Sequence, residues 1–283
     1  VTITEISVIV LTKNEEAGLA NTLRRLSDFD DLIVVDSGSS DRTVEIAKAH
    51  GARVVDFSWD GRYPKKKQWS LEHAKPRNPW VLLLDADEYP SPALVAELHR
   101  LAPKLSGLPN GAFDIQLLYR FAGKLLRHGH VVTKRSLLHT SRARFPEIDD
   151  LSAPGIREVE GHYQPDSASP IGRLSQRIVH DDRDPVNSWF SRHNRYSDWE
   201  AHLRLNDALR SQVASKRTKK GRVFDAVPFK PVLFFVYAYI ARAGFLDGRA
   251  GFDYAAALSM YYWQIGVKYR ELQRDQKEHD APR

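Results

Sequence analysis

Four apolar runs punctuate the first hundred residues: "EISVIVLT" (5–12), "DLIVVD" (31–36), "ARVVDF" (52–57) and "WVLLLD" (80–85). They are rich in β-branched residues and lack clean polar alternation, the pattern of strands buried on both faces. Between them the period changes. "EEAGLANTLRRL" places Leu19, Leu23 and Leu26 at helical spacing, and "SDRTVEIAKAHG" has a Ser/Asp start and a Gly51 stop. "PKKKQWSLEHAK" (64–75) reads as a helix, and "SPALVAELHRL" (91–101) carries a Ser-Pro helix start. Alternating strands and helices predict an α/β fold with a mainly parallel, doubly wound sheet.

The texture changes near residue 111. "GAFDIQLLYRFAGKLLRHG" and "KRSLLHTSRARF" read as antiparallel strands rich in basic residues, followed by a Pro/Gly-punctuated loop over 146–170. A helix is expected over 184–205, then the basic stretch "SKRTKKGR" (215–222), an apolar segment (227–245) and a Tyr-rich helix (253–272). The tail "QRDQKEHDAPR" is expected to fray. The predicted organisation is a nucleotide-binding half (1–110), an acceptor-side half of the same domain (111–205) and a C-terminal helical extension (206–283).

The chain has 283 residues, a formal net charge of +6 and no cysteine. Thiol catalysis, disulfides and Cys-ligated zinc are thereby excluded, and anionic partners are favoured. The N-terminal stretch runs straight into a strand without a signal-peptide pattern, so secretion is not expected. No run has the length and apolarity of a spanning helix; 227–245 is interrupted by Lys230 and Arg242. Nucleic-acid binding has no recognition motif behind it.

In an open parallel sheet, ligands bind beyond the carboxyl ends of the strands. Polar residues gather there: Thr12, Lys13, Asn14 and Glu15 after the first strand, Asp36, Ser37, Gly38 and Ser39 after the second, Asp85, Ala86 and Asp87 after the fourth. Acids at strand ends often cap the next helix, but three such clusters on one edge predict a pocket. Neither G-x-G-x-x-G nor a P-loop follows the first strand. Asp85 and Asp87 lie two apart and would share a face in an extended chain, with Ala86 turned away. Two carboxylates suit Mg²⁺ or Mn²⁺ bridging a nucleotide diphosphate.

The blocks "SVIVLTKNEE", "LIVVDSGSSDRTVEIAKAHGARV", "KKKQWSLEHA" and "WVLLLDADE", in that order, resemble the family 2 glycosyltransferases of GT-A fold, closest to the branch of bacterial lipopolysaccharide-core glucosyltransferases. The resemblance implies an inverting, metal-dependent transfer from a nucleotide sugar, usually a UDP-sugar. It places Thr12, Asn14, Glu15, Asp36 and Ser39 around the base and ribose, and Lys67 near the diphosphate with Lys65 and Lys66 as neighbouring registers. Asp85 and Ala86 would contact the nucleotide, and Asp87 and His180 the metal. The general base would be Glu158 in "PGIREVEGHY", where Arg157 replaces the branch's usual His, with Asp149 and Asp150 as competitors. Arg192, Arg195 and Trp199 would face the acceptor or pack as helix core.

The implied acceptor is a lipopolysaccharide-core or other lipid-linked glycan at the cytoplasmic face of the inner membrane. Phe229, Leu233, Phe234, Val236, Tyr237 and Ile240, with Lys219, Lys220, Arg222, Lys230 and Arg242 nearby, have the composition of an interfacial element or of a packed C-terminal helix. Two alternatives stay open: a polyprenyl-phosphate glycosyltransferase, and a non-catalytic nucleotide-sugar-binding protein of the same fold. The sugar transferred and the oligomeric state are not legible in the chain.

Overall fold

The computed structural model describes residues 2–147, 158, 163–206 and 229–280. These residues form two compact units, one of 2–120, 131–147, 158 and 163–182, the other of 121–130, 183–206 and 229–280.

The predicted strands form as β1 (Ile3–Thr12), β2 (Phe29–Asp36), β3 (Arg53–Asp56) and β4 (Trp80–Asp85); then come β5 (Glu88–Pro90), β6 (Ala112–Phe121), β7 (Lys124–Leu125), β8 (Thr133–His139), β9 (Ala143–Arg144), β10 (Asp166–Ser167) and β11 (Ile171–His180). The sheet runs in the order β3-β2-β1-β4-β8-β6-β11-β5. The first four strands are mutually parallel, β8 is antiparallel to both β4 and β6, and β11 is parallel to β6. The sheet is therefore mixed, and mostly parallel where the site lies. Helices α1 (Leu19–Arg24), α2 (Thr43–Ala49), α3 (Lys66–His73) and α4 (Pro92–Leu101) connect these strands.

Successive side chains of a strand point to opposite faces, and both faces are filled. Val8, Val10, Val34, Leu82 and Leu84 join Leu19, Leu23, Leu94 and Leu98 of α1 and α4 in one core. Their alternates Ile9, Leu11, Ile33, Val35, Val81 and Leu83 join Leu71 and Ala74 at the other face. Hence the unbroken apolar runs: a polar residue at either parity would be buried without water. Each such aliphatic side chain contributes about 1.5–3 kcal/mol by its burial. Ser91 caps α4 by accepting from the Leu94 amide at 3.2 Å, with Pro92 in the first turn, as the Ser-Pro signal predicts.

In the second unit, α5 (Val186–Leu205) packs with α7 (Arg249–Asp280), and between them in sequence lie α6 (Lys230–Phe235), a π-helical turn (Val236–Ala241) and a 3-10 turn (Gly244–Asp247). Phe121, Leu126, Trp189, Tyr254 and Ala257 form its core. One sequence expectation changes here. The tail does not fray at residue 273, because α7 continues to Asp280. It extends an already nucleated helix with good helix formers, and Gln273 donates to the Tyr269 hydroxyl at 2.8 Å. Of the two readings of Trp199, core packing is the one that holds: the side chain is 5% exposed.

Candidate active site

The carboxyl ends of β1 and β2 are latched together by side chains of the two following loops. Thr12 Oγ1 donates to Asp36 Oδ1 at 2.8 Å, and Ser39 donates to Asp36 twice, from its amide at 2.7 Å and its hydroxyl at 2.6 Å. The Asn14 amide donates to Ser39 Oγ at 2.8 Å, while Asn14 Oδ1 accepts from the Ser40 amide at 2.8 Å. Asn14 adopts φ 57°, a left-handed conformation that Asn tolerates. The Glu15 amide donates to Thr43 Oγ1 at 2.7 Å. The predicted nucleotide residues thus come together. Asp36 is only 1% exposed and already holds three donors; as it stands it ties the two loops together, and a base N–H would have to take a remaining lone pair.

The basic cluster at the start of α3 divides its labour. Lysines in the first turn oppose the positive end of the helix dipole, so they need anionic or polar company. Lys65 lies 5.9 Å from the Trp59 ring. Lys66 is buried, and its ammonium donates to the Thr12 carbonyl at 2.6 Å and to Ser37 Oγ at 2.5 Å. Lys67 acts electrostatically on Asp85. Burial brings the Lys66 ammonium down to about 8, against the opposing pull of Glu158 and Asp36. Gln68 is structural: its side chain accepts from the Phe145 amide at 2.8 Å and donates to Glu72 at 2.8 Å.

Glu158 meets this cluster. Its carboxylate lies 3.7 Å from Lys13 Nζ and 3.8 Å from Lys66 Nζ, and its carbonyl accepts from the Lys66 amide at 2.7 Å. Within 148–162 it is the one described residue; Asp149, Asp150, Ile156 and Arg157 lie outside the described residues.

At the end of β4 the expectation of one shared face for Asp85 and Asp87 fails. The chain turns at Ala86 and Asp87 rather than staying extended, and Glu88 closes the turn by accepting from the Asp85 amide at 3.0 Å. The Ala86 carbonyl is taken by Thr22 Oγ1 at 2.6 Å. Asp85 and Asp87 therefore answer to different partners. Asp85 meets Lys134 Nζ at 2.8 Å, and the same ammonium reaches Glu88 at 2.5 Å. Asp87 lies 3.5 Å from His180 Nε2, and His180 Nδ1 lies 3.7 Å from Glu88. Topology produces both pairings. β4 and β8 pair Leu82 with Leu137, a register that, continued, sets Lys134 opposite Asp85. β5 pairs antiparallel with β11, setting His180 opposite Glu88.

Lys134 was not singled out from the sequence. The protein itself supplies the positive charge for two of the three acids closing β4. Burial alone would raise the Asp85 and Glu88 carboxyls, but Lys134 outweighs it and holds both below the usual carboxylate range. Asp87 differs: burial, reinforced by Glu88, Asp85 and Asp182, pushes its carboxyl up to about 6, with His180 opposing. The His180 imidazole is lifted to about 9, since Asp87 and Glu88 outweigh its burial. Asp87, a partly exposed carboxylate crowded by negative charge, is an oxygen donor of the kind Mn²⁺ or Mg²⁺ accepts, and His180 adds a nitrogen only on giving up the proton it holds below about pH 9. Among the described residues no group of three or more His, Cys, Asp or Glu forms a complete set, so any ion would complete its shell with ligand oxygens.

A separate hollow lies at the opposite ends of β2 and β3, lined by Leu26, Asp30, His50, Arg53 and Arg77. Arg77 is paired there with Asp30 and Asp31, and none of the site residues takes part.

Comparison with known proteins identifies the family of the first half of the chain. Residues 7–153 match the glycosyl transferase family 2 domain, more than half of the chain. An uncharacterized glycosyltransferase of Rickettsia typhi is 37% identical over 120 residues, 42% of this chain and 40% of that protein. The chain thus matches well under half the length of such relatives. The lipopolysaccharide core biosynthesis glycosyltransferase LpsC of Rhizobium meliloti is 22% identical over 93% of this chain and 91% of its own length. Among solved structures, glucosyl-3-phosphoglycerate synthase from Mycobacterium tuberculosis, in complex with Mn²⁺, UDP and glucosyl-3-phosphoglycerate, is 31% identical over 41% of this chain and 44% of that one, with a TM-score of 0.31. On the extent of the domain match and the topology of its sheet, the chain belongs to glycosyl transferase family 2 and has the GT-A fold.

Proposed function

We propose that the protein transfers a sugar, with inversion, from a UDP-sugar to a lipopolysaccharide-core or other lipid-linked glycan. The observation that carries this reading is the Asp87–His180 pair, 3.5 Å apart at the carboxyl edge of a family 2 domain, the edge that also carries the Lys13–Lys66–Glu158 cluster, where Lys66 feels the charge of Asp85. The acceptor class rests on the similarity to LpsC along most of both chains.

In this reading Thr12, Asn14, Glu15, Asp36 and Ser39 form the wall against the nucleoside, where the Asp36 carboxylate accepts the imide N–H of uracil. Lys13, Lys66 and Lys67 draw in the diphosphate. Asp87 and His180 hold a divalent cation, which when bound neutralises charge on the departing diphosphate. Glu158 takes the proton of the attacking acceptor hydroxyl, as a single displacement requires. Lys134 keeps Asp85 and Glu88 from competing with Asp87 as free anions.

The test is a donor screen. The protein is incubated with UDP-, GDP- and dTDP-sugars and Mn²⁺, and nucleotide release is followed. Slow hydrolysis of a UDP-sugar, abolished in Asp87→Ala, is expected; absence of both binding and hydrolysis for every donor overturns the proposal.

A further inference from the structure

The segment from Phe229 to Leu246 carries two apolar sides, and packing within its unit accounts for one. Phe234 and Ala238 are buried against Ala255 of α7, with Phe235, Tyr239, Leu258 and Tyr262 around them. The other side presents Phe229, Val232, Leu233, Val236, Tyr237 and Ile240, spaced by three and four and exposed by 45–81%. Phe245 and Leu246 extend it, at 47% and 59% exposed. A helix that packs one face in a globular unit turns polar residues outward; this one turns out aromatics and aliphatics.

Within residues 229–248 the exposed charge has one sign. Lys230 and Arg242 are the cations between 229 and 248, and Asp247 is the single acid. Asp247 is 4% exposed and accepts from the Arg127 and His128 amides at 2.9 and 2.8 Å, so it adds little negative character outside. A second copy of the chain fits poorly, because a two-fold contact would bring like charges together. No described helix is long and apolar enough to cross a bilayer, which leaves attachment in the plane.

We propose that this face docks on an anionic lipid bilayer, with Phe229, Val232, Val236 and Ile240 entering the acyl boundary and Lys230 and Arg242 at phosphate level. The inference deepens the reading of a lipid-linked acceptor and rests on it for its purpose. Vesicle binding needs neither donor nor acceptor, so either proposal can fail while the other stands.

The test is co-sedimentation of the full chain with vesicles of phosphatidylcholine, with and without phosphatidylglycerol. Binding is expected to anionic vesicles, to weaken with salt, to fall about tenfold or more in Val236→Glu/Ile240→Glu, and to fall about fivefold in Arg242→Gln. Circular dichroism checks the fold, and the milder Ile240→Gln serves if the double variant misfolds. No binding of wild type, equal binding to neutral vesicles, or undiminished binding of the folded variants overturns the proposal. So does light scattering that shows a dimer broken by these substitutions, since the face would then belong to a second copy.

Discussion

Replacing Lys134 by Met probes the charge arrangement at the end of β4. Its ammonium lies 2.5 Å from Glu88 and 2.8 Å from Asp85, whose side chains are 1% and 39% exposed. The two pairs have different weights. Asp85 regains water when its partner goes, so that pair is worth at most about 1 kcal/mol. Glu88 cannot, and although the Asp85 amide and His180 stay beside it, a buried carboxylate stripped of its ammonium costs about 3 kcal/mol, the low end for a broken buried pair. The expected loss is therefore roughly 3–4 kcal/mol in urea unfolding near pH 7. Both carboxyls are held low in the folded wild type. The stability they contribute is present above the unfolded values of about 4 and is lost as pH falls through the lower folded ones. The deficit of Lys134→Met is thus largest near neutrality and shrinks below about pH 4. Adding Glu88→Gln should recover about 2 kcal/mol or more of it. A single variant within about 0.5 kcal/mol of wild type, no recovery in the double variant, or a deficit that grows in acid would refute the reasoning.

Glu158→Gln is expected to lower transfer by about 10²–10⁴ while leaving UDP affinity within a few-fold, measured by turnover and calorimetry; unchanged turnover removes it as the base. Asp87→Asn is expected to abolish donor hydrolysis yet melt at or above the wild-type temperature, because the substitution removes a charge that burial, and then Glu88, Asp85 and Asp182, disfavour; a large drop in melting temperature contradicts that electrostatic account. For Lys66, folding costs stability below about pH 8, where the buried group is charged, and that cost eases as pH rises from about 8 toward the unfolded value. UDP affinity should fall across the same range in wild type and be weaker but flat with pH in Lys66→Met, as read by calorimetry. An affinity in Lys66→Met that keeps the alkaline fall assigns it to another group.

The first four strands are legible because burial on both faces leaves an apolar run in each, and the polar residues at their ends then mark the ligand edge. Thr12, Asn14, Asp36 and Ser39 follow directly from that rule, and the hydrogen bonds among them bear out their proximity. Lys134 was hidden for a physical reason. "KRSLLH" offers adjacent cations, and only the pairing of β8 with β4 decides that Lys134 rather than Arg135 meets the acids. Arg135 instead pairs with Asp114 at 2.9 Å. The turn at Ala86–Asp87 was likewise invisible, since it is imposed by β5, a three-residue strand without a pattern of its own. His180 was placed by resemblance; the register of β11 against β5, which sets it opposite Glu88, has no sequence signal of its own.

Anomalous scattering at the manganese edge, from a crystal soaked with UDP and Mn²⁺, tests the central claim most directly. The account predicts one strong peak within ligand distance of both Asp87 and His180, with the diphosphate toward Lys66 and Lys67. A nucleotide bound with no manganese there, or manganese and UDP together at another edge of the sheet, would contradict it.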